Sequence, residues 1–207
     1  MNKLQKTQIA PNKHLKTIEK LFSSNMFPAY GQLATVTENN IPQVRTVHFR
    51  YLKAYQELMF PTHIESQKWH QLKNKTLSGC YFSSRHLIQV RWEATPIFVD
   101  QSITEHQNER NIVWKKMRKD IKRAYWTDFN NEKGISPEEF KINSPCPSMG
   151  IIICNTYAWD IWKLNATDYS KSKRFIYRLI DGEWHATKSS PLYSKTKHNN
   201  SDWGKNE

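Results

Sequence analysis

Glycine and cysteine are scarce in this chain, at six and three of 207 residues. So little glycine excludes a collagen-like repeat. An odd cysteine count with no CxxC pair argues against a disulfide framework and leaves zinc without a ligand spacing. Cys80 and Cys154 stand in apolar, strand-like runs and read as buried free thiols. Unpaired thiols imply a reducing, cytoplasmic compartment. No apolar run approaches the roughly 18 residues of a membrane span; the densest is 150–154 (GIIIC). The opening MNKLQKTQIAPNK is polar and predicts no signal peptide. Acidic residues are also few, 19 against 31 Lys and Arg, for a formal charge of +12. That surplus suits an anionic partner: nucleic acid, anionic lipid or a phosphorylated small molecule. The basic residues are spread along the chain and peak only at 115–123 (KKMRKDIKR) and after Tyr193. A solvated basic face is the simpler reading, which argues against nucleic acid.

Aromatics are what the chain has in plenty: eight Trp, nine Tyr and nine Phe. They exclude a disordered chain and supply a core. The length suits one domain. Residues 1–12 read as a flexible arm, 13–191 as the domain and 192–207 as a polar, disordered tail. Leu15, Ile18, Leu21 and Phe22 have helical spacing and predict a helix over 13–24. Strands follow at 31–37, 42–51 and 57–61. In the second, Val44, Thr46, His48 and Arg50 alternate with Arg45, Val47, Phe49 and Tyr51. Ser66 is placed to cap a helix over 67–74 through its hydroxyl. Two more strands are expected at 77–83 and 87–99. Residues 104–126 predict the longest helix, striped by Val113, Met117, Ile121 and Tyr125. A short helix is expected near Ser136. The last strands are 149–163, 173–180 and 184–188, with Asp181-Gly182 as a hairpin turn. Seven or eight strands joined by short turns, with three or four helices, point to a mainly β fold: an antiparallel barrel with flanking helices.

The sequence has no GxGxxG, Walker loop, HExxH or GxSxG, and its eight His form no metal-ligand pair. No catalytic residue and no metal ligand can be assigned. His48 and His63 read as structural. What remains is a set of basic and polar residues at strand ends: Arg45, Arg50, Thr62, Ser66, Gln67, Lys68, Gln89, Arg91, Trp162, Lys171, Lys173 and Arg174. A helix start with Ser66 and Lys68 has the hydroxyl, ammonium and free N–H groups that hold a phosphate. A capped helix with a solvated lysine explains the same residues.

These residues carry a resemblance. Residues 31–36 (GQLATV), a turn and 42–47 (PQVRTV) resemble the opening of the pyridoxamine 5′-phosphate oxidase family, the FMN-binding split barrels. Residues 66–72 (SQKWHQL) resemble its phosphate-gripping S-R-K-x-x-Q-L stretch. Residues 88–93 (IQVRWE) resemble its R-Q-V-R-V-E-G strand. Residues 159–162 (WDIW), 173–177 (KRFIY) and 181–184 (DGEW) resemble its E-F-W…D-R-F-x-Y…W signature. The resemblance implies an FMN-binding split barrel, a homodimer with FMN between subunits, and hydride transfer through the flavin to a small-molecule substrate not yet assigned. It implies Arg45 at the phosphate or ribityl chain, and Thr46, Val47 and Arg50 along the flavin edge. Thr62, Ser66, Gln67 and Lys68 would lie at the phosphate, with Gln89, Trp162 and Arg174 completing the pocket across the dimer.

Departures from the family pattern bear on the substrate. Gln67 stands where the family has a second basic residue, and Arg50 where the oxidase proper has Lys. The oxidase's R-x-H-D-R is SKSKR at 170–174, with Ser172 in place of the His. Arg50, Lys171 and Ser172 are the candidates for substrate binding, with a phosphorylated small molecule among the candidate substrates. Two alternatives stay open: a true pyridoxine/pyridoxamine 5′-phosphate oxidase, and a non-catalytic module holding flavin or haem.

Overall fold

Strand after strand begins where apolar residues take up a two-residue period and ends where a residue accepts positive φ. In the computed structural model, which describes residues 12–23, 29–126 and 142–189, the order is α1 (Asn12–Phe22), β1 (Ala29–Val36), β2 (Pro42–Leu52), β3 (Glu57–His63), α2 (Gln67–Gln71), β4 (Leu77–Ser83) and β5 (Ile88–Val99). Then come α3 (Gln107–Lys116), α4 (Lys119–Tyr125), β6 (Met149–Lys163), a 3-10 turn at Tyr169–Lys171, β7 (Lys173–Ile180) and β8 (Glu183–Ser189). Asn40 turns β1 into β2 at φ 59°, its N–H reaching the Thr37 carbonyl at 3.1 Å. Asp181 and Gly182, at φ 50° and 84°, make the β7–β8 hairpin, the left-handed pair that matches strand twist.

All pairings are antiparallel. Strands β1, β2, β3, β6, β5 and β4 close a six-stranded ring through the β3–β6 pairing, and β7 and β8 continue from β6. Closure removes free edges from the ring. Leu33, Phe49, Leu58, Phe60, Val90 and Trp92 fill the barrel, at 1% exposure or less. A second core lies outside it, where Val113, Trp114 and Met117 pack on Met59, Met149, Ile151 and Ile153. Strand β6 serves both: Ile152 and Cys154 face the barrel core, Ile151 and Ile153 the outer one. A strand buried on both faces reads as a continuous apolar run, which is why 150–154 is the densest run in the chain.

The mainly β, antiparallel barrel with flanking helices expected from the sequence is what forms, with eight strands among the described residues. The expected 104–126 helix breaks instead. Met117 and Arg118 are both extended, ψ 145° and 151°, and separate α3 from α4. An unbroken helix would stack Lys115, Arg118, Lys119 and Lys122 at spacings of three and four, where like charges repel. The break also re-phases α4, so Ile121 is exposed while Met117 stays buried. Helix α2 is shorter than expected, a single turn. Cys80 is half-buried rather than buried, and Cys154 is fully enclosed. The N-terminal arm up to residue 11, the helix near Ser136 and the tail 192–207 lie outside the described residues.

Candidate functional site

Strand β2 carries Arg45 into the barrel end beside β1, opposite Leu33. There the guanidinium meets three neutral side chains. Its Nη1 donates to the Thr35 hydroxyl and, at 3.4 Å, to the Gln43 carbonyl. Its Nη2 donates at 3.0 Å to both Gln43 Oε1 and Gln71 Oε1. Burial lowers the Arg45 pKa. The Lys68 ammonium is lowered by burial and by the charge of Arg45, so the two cations sense one another. Among the described residues no carboxylate pairs with either. Two half-buried like charges without a counterion are an unfavourable arrangement unless an anion joins them.

The Ser66 hydroxyl does not cap α2, contrary to the sequence expectation; it lies 3.0 Å from Thr62 Oγ1. Both residues are buried, at 8% and 3% exposure, and a buried hydroxyl takes the partner nearest to it. Gln67 is exposed and, with Gln43 and Gln71, lines a cleft of about 730 Å³ between α2 and the β1–β2 turn.

Thr46 and Arg50 point the other way from Arg45, by the strand's alternation. Thr46 Oγ1 accepts Gln32 Nε2 at 3.2 Å on the outer face, and Val47 is buried in the barrel. Arg50 has Tyr125 and Tyr30 near enough to favour its charge, against the burial that disfavours it. His48, beside it, is pushed down to about 4 by burial and by the Arg50 charge. The Tyr30 and His48 rings lie 5.1 Å apart.

Gln89, Trp162 and Arg174 form a third group. They are direct register partners across β5, β6 and β7, so they make one row on the outer face. A register shift at Glu93/Ala94 puts them there. Before it the even residues Ile152 and Cys154 face the core; after it Trp159 and Ile161 do, and Asp160 and Trp162 turn outward. A bulge re-aims side chains in this way. Trp162 Nε1 is buried without a hydrogen-bond partner. Arg174 is held by Asp160 through Nε at 2.9 Å and Nη2 at 2.7 Å, and Arg91 binds the same carboxylate. Burial would raise the Asp160 pKa, but these hydrogen bonds and charges hold it below its ordinary value. A cleft of about 410 Å³ beside them is lined by Gln32, Cys80, Arg91, Asp160, Arg174 and Arg178. Lys171 is exposed and pairs with Asp168 at 3.2 Å. Ser172 is buried, and its Oγ accepts the Asn165 N–H at 3.0 Å.

The sequence singled out the cations but not what holds them. Thr35, Gln43 and Gln71 around Arg45, and Asp160 beneath Arg174, were missed. Spacing held a signal for two of them: Gln43 lies two residues before Arg45 on one strand face, and Gln71 three after Lys68 on one helix face.

Residues 12–100 match the family described as pyridoxamine 5′-phosphate oxidase, FMN-binding domain. The match runs from α1 to the end of β5, covering Arg45 to Gln89 but not Trp162 or Arg174. No curated protein matches by sequence. Among solved structures, the chain is similar to a pyridoxamine 5′-phosphate oxidase-related, FMN-binding protein of Nostoc punctiforme. The TM-score is 0.74 at 21% identity, over 89% of this chain and 99% of that one. It is also similar to PhzG of Burkholderia lata, solved with tetrahydrophenazine-1-carboxylic acid, with TM-score 0.62 at 16% identity over 79% and 83% of the two chains. At these identities the likeness is one of fold.

Proposed function

We propose, from the match of residues 12–100 to the FMN-binding-domain family of pyridoxamine 5′-phosphate oxidase and from the likeness of fold, that the chain is an FMN-binding oxidoreductase. The observation that carries the reading is Arg45 and Lys68, two partly buried cations of which the first lowers the pKa of the second, with no carboxylate paired to either among the described residues. The residues present fit a flavin phosphate: a dianion would compensate both charges. Trp162 Nε1, buried and unpaired, is a donor in want of an acceptor.

Arg45 and Lys68 hold the phosphate, with Thr62, Ser66 and Gln67 bordering it. Thr46, Val47 and Arg50 follow the flavin edge along β2. Gln89, Trp162 and Arg174 meet the cofactor from the second subunit of a homodimer, Arg174 being held in place by Asp160. Bound flavin supplies hydride transfer; the protein supplies position and charge. Arg50, with no carboxylate partner among the described residues, faces the substrate side as the cation for an anionic small molecule. Three free thiols support a reducing, cytoplasmic setting.

The test is titration of the protein with FMN, read by quenching of flavin fluorescence. Wild type should bind with saturation, and Arg45→Met should weaken binding by about tenfold or more, the value of one charge-assisted contact to phosphate. Equal affinity for FMN in wild type and Arg45→Met contradicts the assignment of the phosphate site.

A further inference from the structure

We propose that Gln71, together with Gln43 and Thr35, is the positioning device of the anion site: these side chains fix the Arg45 guanidinium through neutral acceptors alone, so that its charge stays uncompensated for a bound phosphate. The proposal rests on the cofactor reading above.

The hydrogen-bond pattern leaves little freedom. Thr35 Oγ1 accepts from Arg45 Nη1 and donates to Gln71 Oε1 at 2.6 Å. Gln71 Oε1 takes a second bond from Arg45 Nη2, and Gln71 Nε2 donates to Gln43 Oε1 at 2.8 Å. Gln43 Oε1 in turn takes Arg45 Nη2. Each amide therefore turns its oxygen to the cation. Reversing Gln71 would set an NH2 group against the guanidinium and break three of these bonds. Both terminal nitrogens of Arg45 are engaged, which leaves the Nε–H edge and the field of the full charge. Lys68 lies three residues before Gln71 on the one-turn helix α2. Gln71 thus ties α2 to β1 and β2 and keeps the ammonium beside Arg45.

The chemistry of the acceptors decides the role. A carboxylate at 71 would have the same shape and would bind Arg45 more strongly, but it would neutralise the charge. Glu38 also lines the cleft that Gln43, Gln67 and Gln71 border, but among the described residues no carboxylate pairs with Arg45 or Lys68, which suits a site whose two cations wait on a mobile anion.

The experiment compares FMN with riboflavin, which differ only in the phosphate, on wild type, Gln71→Glu and Gln71→Met. Binding is read by flavin fluorescence and folding by circular dichroism. Wild type should prefer FMN. In Gln71→Glu the FMN affinity should drop by about tenfold or more, with riboflavin affinity unchanged. In Gln71→Met, which frees Arg45 without neutralising it, the drop should be smaller. In an Arg45→Met background Gln71→Glu should lose most of its effect, because the charge it acts on is gone. A retained FMN preference in Gln71→Glu overturns the proposal, as does an equal loss for both flavins, which would mark a merely structural role. Failure of wild type to bind either flavin overturns the cofactor reading instead. Inorganic phosphate then decides: thermal stabilisation of wild type but not of Gln71→Glu upholds the proposal, and no stabilisation of wild type overturns it.

Discussion

Glu57 and His48 give this protein opposite pH slopes. The Glu57 carboxylate accepts the Thr156 N–H on both oxygens, at 3.2 and 3.3 Å, next to the register shift in β6. Burial pushes its pKa up to about 8, against those hydrogen bonds. The folded state thus binds its proton more tightly than the unfolded chain, and its contribution is whole below about 4.5 and lost as pH rises through 8. His48, pushed down to about 4, works the other way: the unfolded chain binds the proton more tightly, so stability rises with pH between about 4 and 6.5. The two oppose below 6.5, and above it only the Glu57 slope remains, downward. Glu57→Gln keeps an oxygen for Thr156 and removes that slope. Its melting temperature should exceed that of wild type by roughly 5 °C or more at pH 8, as for a few kcal/mol in a domain of this size, and the gain should vanish at pH 4.5. A constant difference across that range would mean Glu57 is charged throughout. At this scale the sequence was half legible. Cations stand out because a charge at a strand end needs a reason, so Arg45, Arg50 and Lys68 were singled out. Gln43, Gln71 and Asp160 were not, and entered only as letters of the 42–47, 66–72 and 159–162 stretches, because an amide or a paired acid acquires its role only from a partner far away in the chain.

Elements were read better than residues. The bounds of β4 (Leu77–Ser83), β6 (Met149–Lys163) and β7 (Lys173–Ile180) agree with expectation, since period-two patterning and turn residues are local signals. The α3–α4 break carries no proline or glycine and was not visible; it arises from charge crowding and from the outer core. The flip of side chains along β6 was equally hidden, because Tyr157 is the unpaired residue of a bulge, and a bulge has no composition of its own. Close packing between elements gives a sharp prediction. A Cβ on Gly79 would lie 2.1 Å from the Trp92 ring, its neighbour on β5. Gly79→Ala should therefore cost about 1–3 kcal/mol by overpacking, read as a lower denaturation midpoint. The adjacent exposed Ser78→Ala should stay within about 0.5 kcal/mol of wild type. An undisturbed Gly79→Ala would show that Trp92 can move aside.

Across the whole molecule, one outer face of the barrel has no cover from the described residues. Tyr30 and Phe82 are exposed there, at 59% and 48%, on neighbouring strands, and Val44, at 65%, lies further along the same face opposite Ala34. Apolar patches of this kind mark protein interfaces, and the homodimer we propose would close this one. Sedimentation should give a dimer. Val44→Asp, which sets a charge in the patch, should shift it toward monomer and weaken FMN binding with it, since Gln89, Trp162 and Arg174 would come from the second copy. A monomeric wild type that binds FMN tightly would assign those three residues another task. The fold class and the β7–β8 hairpin were legible from patterning, but the β1–β4 and β3–β6 pairings that close the ring were not, nor was the interface: a surface that faces a partner and one that faces water differ by only a few side chains. The central claim, that the chain is a flavoprotein, is tested most directly by its colour. The protein is purified without added cofactor, its visible absorption recorded, and the chromophore released by heat and weighed by mass spectrometry. The account predicts the bands of oxidised flavin and the mass of FMN. A colourless protein that stays colourless after incubation with FMN contradicts it.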